Sequence, residues 1–189
     1  MKDTAFIKGD VPMTKEEIRA IVLEKLELKS NDSLMDIGAG TGSVAIEAAL
    51  QLTQGNVIAI ERKDDAVDLI RKNILKHHLA NVKLLQALAP AGMKDLENIN
   101  KYFIGGSGGN LGKILDLIGQ KAPEGSIVVA TAILIDTMYQ AYHYFRDHSF
   151  EVELIQVSVN KAESEKKAGM LLAANPIFIL TAKKKHVHG

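Results

Sequence analysis

Cysteine is absent from the 189 residues. No disulfide, no thiolate metal site and no cysteine nucleophile can form. Charge of either sign is not in excess, with Lys+Arg and Asp+Glu both 23. A nucleic-acid binder normally carries a basic face, so the balance argues against one. No apolar run reaches membrane-spanning length. The first ten residues are polar and hold no apolar signal core. These absences leave a soluble chain with the cytoplasm as its expected place. The length suits a single domain over residues 1–189, at ~100–200 residues per domain. An apolar share of 47% is enough to fill a sizeable core.

What is present centres on one stretch, Leu34-Met35-Asp36-Ile37-Gly38-Ala39-Gly40-Thr41-Gly42-Ser43-Val44. An apolar strand breaks into alternate glycines and runs into a helical pattern. Glycines permit a tight turn and keep side chains out of a ligand's way. The next helix would begin with its free N–H groups facing that ligand. A dinucleotide fingerprint is G-x-G-x-x-G/A. Here the third glycine comes one residue early and Ser43 occupies the expected small position. Glu61 ends the next apolar run, 23 positions after Gly38. An acid about 20 residues past such a loop accepts hydrogen bonds from ribose hydroxyls. The plain alternative is a solvated acid beside Arg62 and Lys63.

Residues 1–13 read as an extended arm, broken by Gly9 and Pro12. Thr14 and Glu17 match a capping box, opening a helix to about Leu28. Either that helix covers a sheet edge or the loop before it, residues 9–15, lids a cleft; pattern alone does not choose. Strands are expected at residues 33–37, 56–61, 82–86, 101–104, 126–131 and 151–159, with a last one at 170–182. Helices are expected at residues 42–52, from Asp64, around Leu111 and at 136–148. Met138, Tyr139, Tyr142 and Phe145 read as a core stripe on the last helix. Residues 160–167 read as a solvated hairpin tip and 183–189 as a polar tail, whose His186 and His188 receive no role. The alternation predicts an α/β fold with a mostly parallel sheet and an antiparallel last strand. The run Gly105-Gly106-Ser107-Gly108-Gly109 sits between strand and helix, where backbone N–H groups favour anions.

Five segments are specific in order and spacing: Val11-Pro12-Met13-Thr14-Lys15-Glu16-Glu17-Ile18-Arg19, residues 36–49, Ile104 through Gly109, Val129-Ala130-Thr131-Ala132-Ile133-Leu134, and Asn175-Pro176. Over roughly residues 8–183 they resemble the precorrin C15-methyltransferases (decarboxylating) of cobalamin biosynthesis. That family belongs to the Rossmann-like class I methyltransferases dependent on S-adenosyl-L-methionine, with a seven-stranded sheet. The resemblance implies methyl transfer to C15 of a (cobalt-)precorrin and loss of CO2 from the C12 acetate. It implies cofactor contacts from Thr14, Asp36, Gly38, Ala39, Gly40, Thr41, Gly42, Glu61, Arg62, Leu88 and Ala89. It implies tetrapyrrole contacts from Gly105, Gly106, Ser107, Gly108, Gly109 and Thr131. It implies a homotetramer, with the only metal arriving in the substrate. No catalytic acid or base is assigned. Leu88 departs from the family, which usually has an acid there, so backbone groups and apolar contact must hold the adenine. Asn175-Pro176-Ile177-Phe178 looks like an amino-methylation motif, but its place in the last strand makes it structural. Other readings are a methyltransferase for another small molecule or RNA, a nicotinamide-dependent oxidoreductase and a non-catalytic cofactor-binding module.

Overall fold

The computed structural model describes residues 1–93, 98–162 and 171–186. After a short 3-10 turn at Asp3–Ala5, the chain runs α1 (Glu16–Lys25), β1 (Ser33–Ile37), α2 (Ser43–Gln51), β2 (Asn56–Glu61), α3 (Asp64–Lys76) and β3 (Val82–Gln86). It continues through β4 (Lys101–Ile104), α4 (Leu111–Lys121), β5 (Ile127–Ala132), α5 (Ile135–Asp147) and β6 (Phe150–Val157). It ends with β7 (Asn160–Ala162), β8 (Leu171–Ala173) and β9 (Ile177–Lys184).

Seven strands form one sheet in the order β3-β2-β1-β4-β5-β9-β6. β1 pairs in parallel with β2 and β4, and β9 is antiparallel to both of its neighbours. The order reverses between β1 and β4. In open α/β sheets that reversal leaves a crevice outside the carboxyl ends of the strands.

Strand alternation divides the core. Met35, Ile37, Ile58, Ile60 and Ile104 point to one face, where Ile114, Leu115, Met138 and Phe145 cover them from α4 and α5. Leu34, Val57, Ala59 and Phe103 point to the other, under Ile18, Val22, Val44 and Ala48 of α1 and α2. β2 is buried along Val57 to Glu61 because both faces are covered.

The sequence reading needs three corrections. Thr14 does not cap α1: the N-cap is Lys15, without a side-chain bond. The Thr14 carbonyl instead accepts Arg19 Nη1 at 2.6 Å, and Glu17 pairs with Lys161 at 2.6 Å. The arm of residues 1–13 is not extended throughout: it turns at Asp3–Ala5 and is held to the body. Arg19 is fully buried and binds Glu47 (2.7 Å), Asp3 (3.2 Å) and the Met1 carbonyl (2.7 Å), with its guanidinium 4.7 Å from the Phe6 ring centroid. A buried charge demands such partners, and here they tie the N-terminus down. Finally, no strand spans residues 170–182. Leu171–Ala173 pairs with Asn160–Ala162 as a separate ribbon, so residues 160–162 are not loop. Pro176 supplies no N–H and restrains Asn175, so β9 starts only at Ile177. β9 then absorbs Lys183 and Lys184, shortening the expected tail. Residues 163–167 of the expected hairpin tip, Met170, and His188 in the tail lie outside the described residues.

Candidate functional site

A cleft of about 590 Å³ opens at the carboxyl ends of the parallel strands. That lies within the roughly 300–1,000 Å³ usual for small-molecule sites. Its walls come from the segment before α1, the two glycine loops, the ends of β2 and β3, and the start of α5.

The loop after β1 is a closed piece of backbone. Gly38, Gly40 and Gly42 all have positive φ. A Cβ on Gly38 would fall 2.4 Å from the Gly106 carbonyl oxygen, so the two glycine loops touch there. The N–H groups of Gly38 and Ala39 donate to the Ile60 carbonyl at 2.9 and 3.1 Å. The Gly40 N–H donates to Glu61 Oε2 at 2.9 Å, and the Gly42 N–H to the Ala39 carbonyl at 2.8 Å. The fold thus uses these loop donors itself, and of the first N–H groups of α2 that of Ala45 goes to Asp36 Oδ2.

Gly38, Ala39 and Gly40 stand on the cleft wall, whereas Asp36, Thr41 and Gly42 do not line it. Strand alternation sends the Asp36 side chain to the α2 face. There Oδ2 accepts the Ala45 N–H at 3.1 Å, holding the start of α2 to β1. Burial pushes the Asp36 carboxyl up to about 7, with the Glu61 charge adding to it and the Ala45 bond opposing it. Its Oδ1 has no partner among the described residues. Thr41 is buried, and its carbonyl accepts Asn73 Nδ2 at 3.0 Å. Gly42 is the left-handed N-cap of α2, packed against Ile70.

Glu61 is anchored from three sides. Oε1 accepts the N–H groups of Arg62 (2.8 Å) and Lys63 (3.0 Å), and Oε2 accepts that of Gly40. A carboxylate has about four acceptor positions, so one on Oε2 remains for an incoming hydroxyl. Arg62, Leu88 and Ala89 line the cleft, as do Thr14, Val11 and Pro12, the last two next to Gly40. The segment before α1 therefore walls the cleft, and α1 packs over the face formed by β1, β4, β5 and β9 rather than covering a sheet edge.

The loop after β4 divides in two. Gly105 and Gly106 donate their N–H groups to the Ile37 carbonyl at 3.0 and 3.2 Å, so these two are not free for an anion. Gly105, Gly106, Ser107 and Gly108 line the cleft, as does Thr131. Gly109 does not line it, and a Cβ there would meet nothing within 4 Å. Sequence reasoning missed the mouth: Ile133 and Leu134 line it while 61% and 63% exposed. Their signal was an apolar run ahead of a helix, out of step with its buried face. The core-stripe reading of α5 fails at Tyr139, which is 65% exposed; Met138 and Phe145 are buried.

A family model described as "Precorrin methyltransferase domain" matches residues 5–184. The chain belongs to the precorrin methyltransferase family. It is 37% identical over 186 residues to a "Probable cobalt-precorrin-6B C(15)-methyltransferase (decarboxylating)" of Sulfolobus acidocaldarius, covering 97% of this chain and 96% of that one. The fold matches a precorrin-6Y C5,15-methyltransferase of Geobacter metallireducens with a TM-score of 0.92 at 36% identity, covering 97% of each chain. It also matches a precorrin 8W decarboxylase of Methanobacterium thermoautotrophicum, with a TM-score of 0.89 at 31% identity, 96% of this chain and 98% of that one. The mostly parallel sheet with an antiparallel last strand expected from strand–helix alternation is found, as is the Rossmann-like class I methyltransferase architecture that the resemblance implies.

Proposed function

We propose that this precorrin methyltransferase family member transfers a methyl group from S-adenosyl-L-methionine to C15 of a cobalt-precorrin, with decarboxylation of the C12 acetate, which releases CO2 and leaves a methyl group on C12. The observation that carries the reading is the cleft between two glycine loops at the sheet's switch point, in a chain whose full-length relatives carry that name. The cofactor fits the residues present. Glu61 keeps one acceptor position beside the cleft, and Gly38, Ala39 and Gly40 line its wall. Leu88 and Ala89 offer an apolar seat next to it.

Bound S-adenosylmethionine supplies an electrophilic methyl group. The residues' part is placement. Gly38, Ala39, Gly40, Glu61, Arg62, Leu88, Ala89 and Thr14 hold the donor side. Ser107, Gly108, Thr131 and the apolar mouth at Ile133 and Leu134 face the acceptor side. A reduced tetrapyrrole meso carbon is electron-rich, so holding it in line with the methyl group is the main task. Arg62 and Lys63 set positive charge on the wall, which suits a substrate with many carboxylates. Asp36, Thr41 and Gly42 support the loop from behind.

The homotetramer is part of the proposal. It is supported by leucines left exposed at Leu154, Leu171 and Leu172, on β6 and the small ribbon. Sedimentation of the full chain checks it, and a monomer would remove it. The chemistry is tested by incubating the purified chain with cobalt-precorrin-6B and S-adenosylmethionine. Mass spectrometry should find one methyl group gained and one CO2 lost. An unchanged tetrapyrrole, in a preparation that binds S-adenosylhomocysteine by calorimetry, would overturn the assignment of substrate. Binding of NAD in place of S-adenosylhomocysteine would favour an oxidoreductase.

A further inference from the structure

We propose that Asn73, on the buried face of α3, is a positioning residue for the cofactor: it locks the N-terminal segment to the first glycine loop and so sets the spacing of two walls of the cleft. The inference rests on the cofactor reading above and extends it to a residue outside the cleft wall.

Asparagine is among the weaker helix formers, because its side chain competes for backbone groups. Asn73 nevertheless stands inside α3, fully buried. A buried amide costs free energy unless its polar atoms are paired. Oδ1 accepts the Ile7 N–H at 2.7 Å. Nδ2 donates to the carbonyls of Ile7 and Thr41, both at 3.0 Å. Both amide hydrogens are thereby used, and turning the amide over would set its oxygen against two carbonyls. None of the three bonds joins α3 to the sheet. All of them go to the N-terminal segment or to the loop after β1.

The neighbours of Asn73 on α3 act on the same two segments. One turn on, His77 Nε2 lies 3.1 Å from the Ala5 carbonyl oxygen, and the Phe6 and His77 ring centroids are 5.6 Å apart. One turn back, Ile70 packs on Gly42, and Leu69 Cδ1 would lie 3.7 Å from a Cβ on Gly9. Residues 5–9 therefore run along α3, and the chain then enters the cleft wall at Val11 to Thr14. A Cβ on Gly40 would fall 3.1 Å from the Pro12 carbonyl oxygen, so the two walls meet there. Gly40 is fixed from both sides: Asn73 holds Thr41 next to it, and Glu61 holds its own N–H. Asn73 thus ties the meeting point, and the carboxylate read as the ribose acceptor, to a helix that belongs to neither wall.

The test is calorimetry of S-adenosyl-L-homocysteine on the full chain and on folded Asn73→Asp. Aspartate keeps the size and the acceptor for Ile7, but turns an oxygen toward two carbonyls. Affinity should fall about tenfold or more, the effect of losing one well-placed hydrogen bond. Ile118→Val, a core variant in α4 away from the cleft, should bind as the natural chain does, which separates position from stability. Ligand and segment should also report on each other. Trypsin should cut after the exposed Lys8 faster in Asn73→Asp than in the natural chain, and saturating S-adenosylhomocysteine should slow that cut. An affinity of Asn73→Asp within about twofold of the natural one overturns the proposal. So does an equal loss in Ile118→Val, or a cut that is neither faster in the variant nor slowed by the ligand. If Asn73→Asp does not fold, Ile7→Pro decides. It removes the Ile7 N–H, and Phe6 already has the extended backbone that a following proline requires. Binding should weaken by about threefold or more, and an unchanged affinity overturns the proposal. Failure of the natural chain to bind sinks the cofactor reading itself, a different result from equal binding by the natural chain and its variants.

Discussion

The two glycine loops face each other across the switch point and look alike in sequence, but they are built differently. The loop after β1 spends its donors internally, on the Ile60 carbonyl, Glu61 and the Ala39 carbonyl. A buried carboxylate, Asp36, lies beneath it and ties it to α2. The loop after β4 is pinned at Gly105 and Gly106 by one carbonyl, that of Ile37, and beyond Ser107 it stands out toward solvent. The first is a rigid seat. The second is half seat and half open rim. Glycine in the first serves close backbone packing, and in the far half of the second it serves chain direction and room.

Gly38→Ala should break the comparison most forcefully. Its Cβ would lie 2.4 Å from the Gly106 carbonyl oxygen, and φ is +72°. Neither backbone can easily retreat, so overpacking and left-handed strain should together cost roughly 4 kcal/mol. Denaturant unfolding measures this, and a stability equal to that of the natural chain would mean the two loops do not press together.

Asp36→Asn isolates the buried carboxyl under the first loop. Its folded value of about 7 stands above the ordinary 3.8, so the native state holds a proton that the unfolded chain has released between those values. Stability from this group is therefore present at low pH and lost as pH rises toward 7. Asparagine cannot ionise but can still accept from Ala45. The natural chain should lose on the order of 3 kcal/mol relative to the variant between pH 4 and 7. Parallel stability–pH curves for the two proteins would show that Asp36 titrates normally.

Glu61→Ala touches the point where the first loop meets the ligand. It should weaken S-adenosylhomocysteine binding by about 1–3 kcal/mol, since the N–H groups of Gly40, Arg62 and Lys63 lose their acceptor together with the ligand hydroxyl. Calorimetry on the folded variant checks it, and an unchanged affinity would leave Glu61 with a purely structural role.

Gly109→Ala probes the open rim and should do least. Nothing lies within 4 Å of the added Cβ, and the cost is left-handed strain alone, about 1 kcal/mol at φ +87°. Cofactor-product affinity should not change. Gly108→Val is a poorer probe of the acceptor side, because its Cβ would collide with Leu88 near the donor. If Gly109→Ala were as damaging as Gly38→Ala, the two loops would be equivalent after all.

Much of this was legible along the chain. β2 lies where a compact apolar run lies, because a strand covered on both faces has little other composition to choose from. The glycine spacing marked the first loop, and the acid at the end of β2 does stand on the cleft wall. The failures share a cause. Thr14 has the residue type of a cap, but Arg19, buried with partners in three segments, takes its carbonyl instead. Asp36 sits two residues before the first glycine and yet faces α2, since strand alternation turns it away from the cleft.

Local pattern by itself determined the alternation of strands and helices as far as β6 and the site of both glycine loops. These depend on residues within one turn or one strand of each other. Tertiary structure alone decided which N–H groups remain for a ligand. Their competitors, the carbonyls of Ile60 and Ile37, belong to other strands, and only sheet pairing brings them within 3.2 Å.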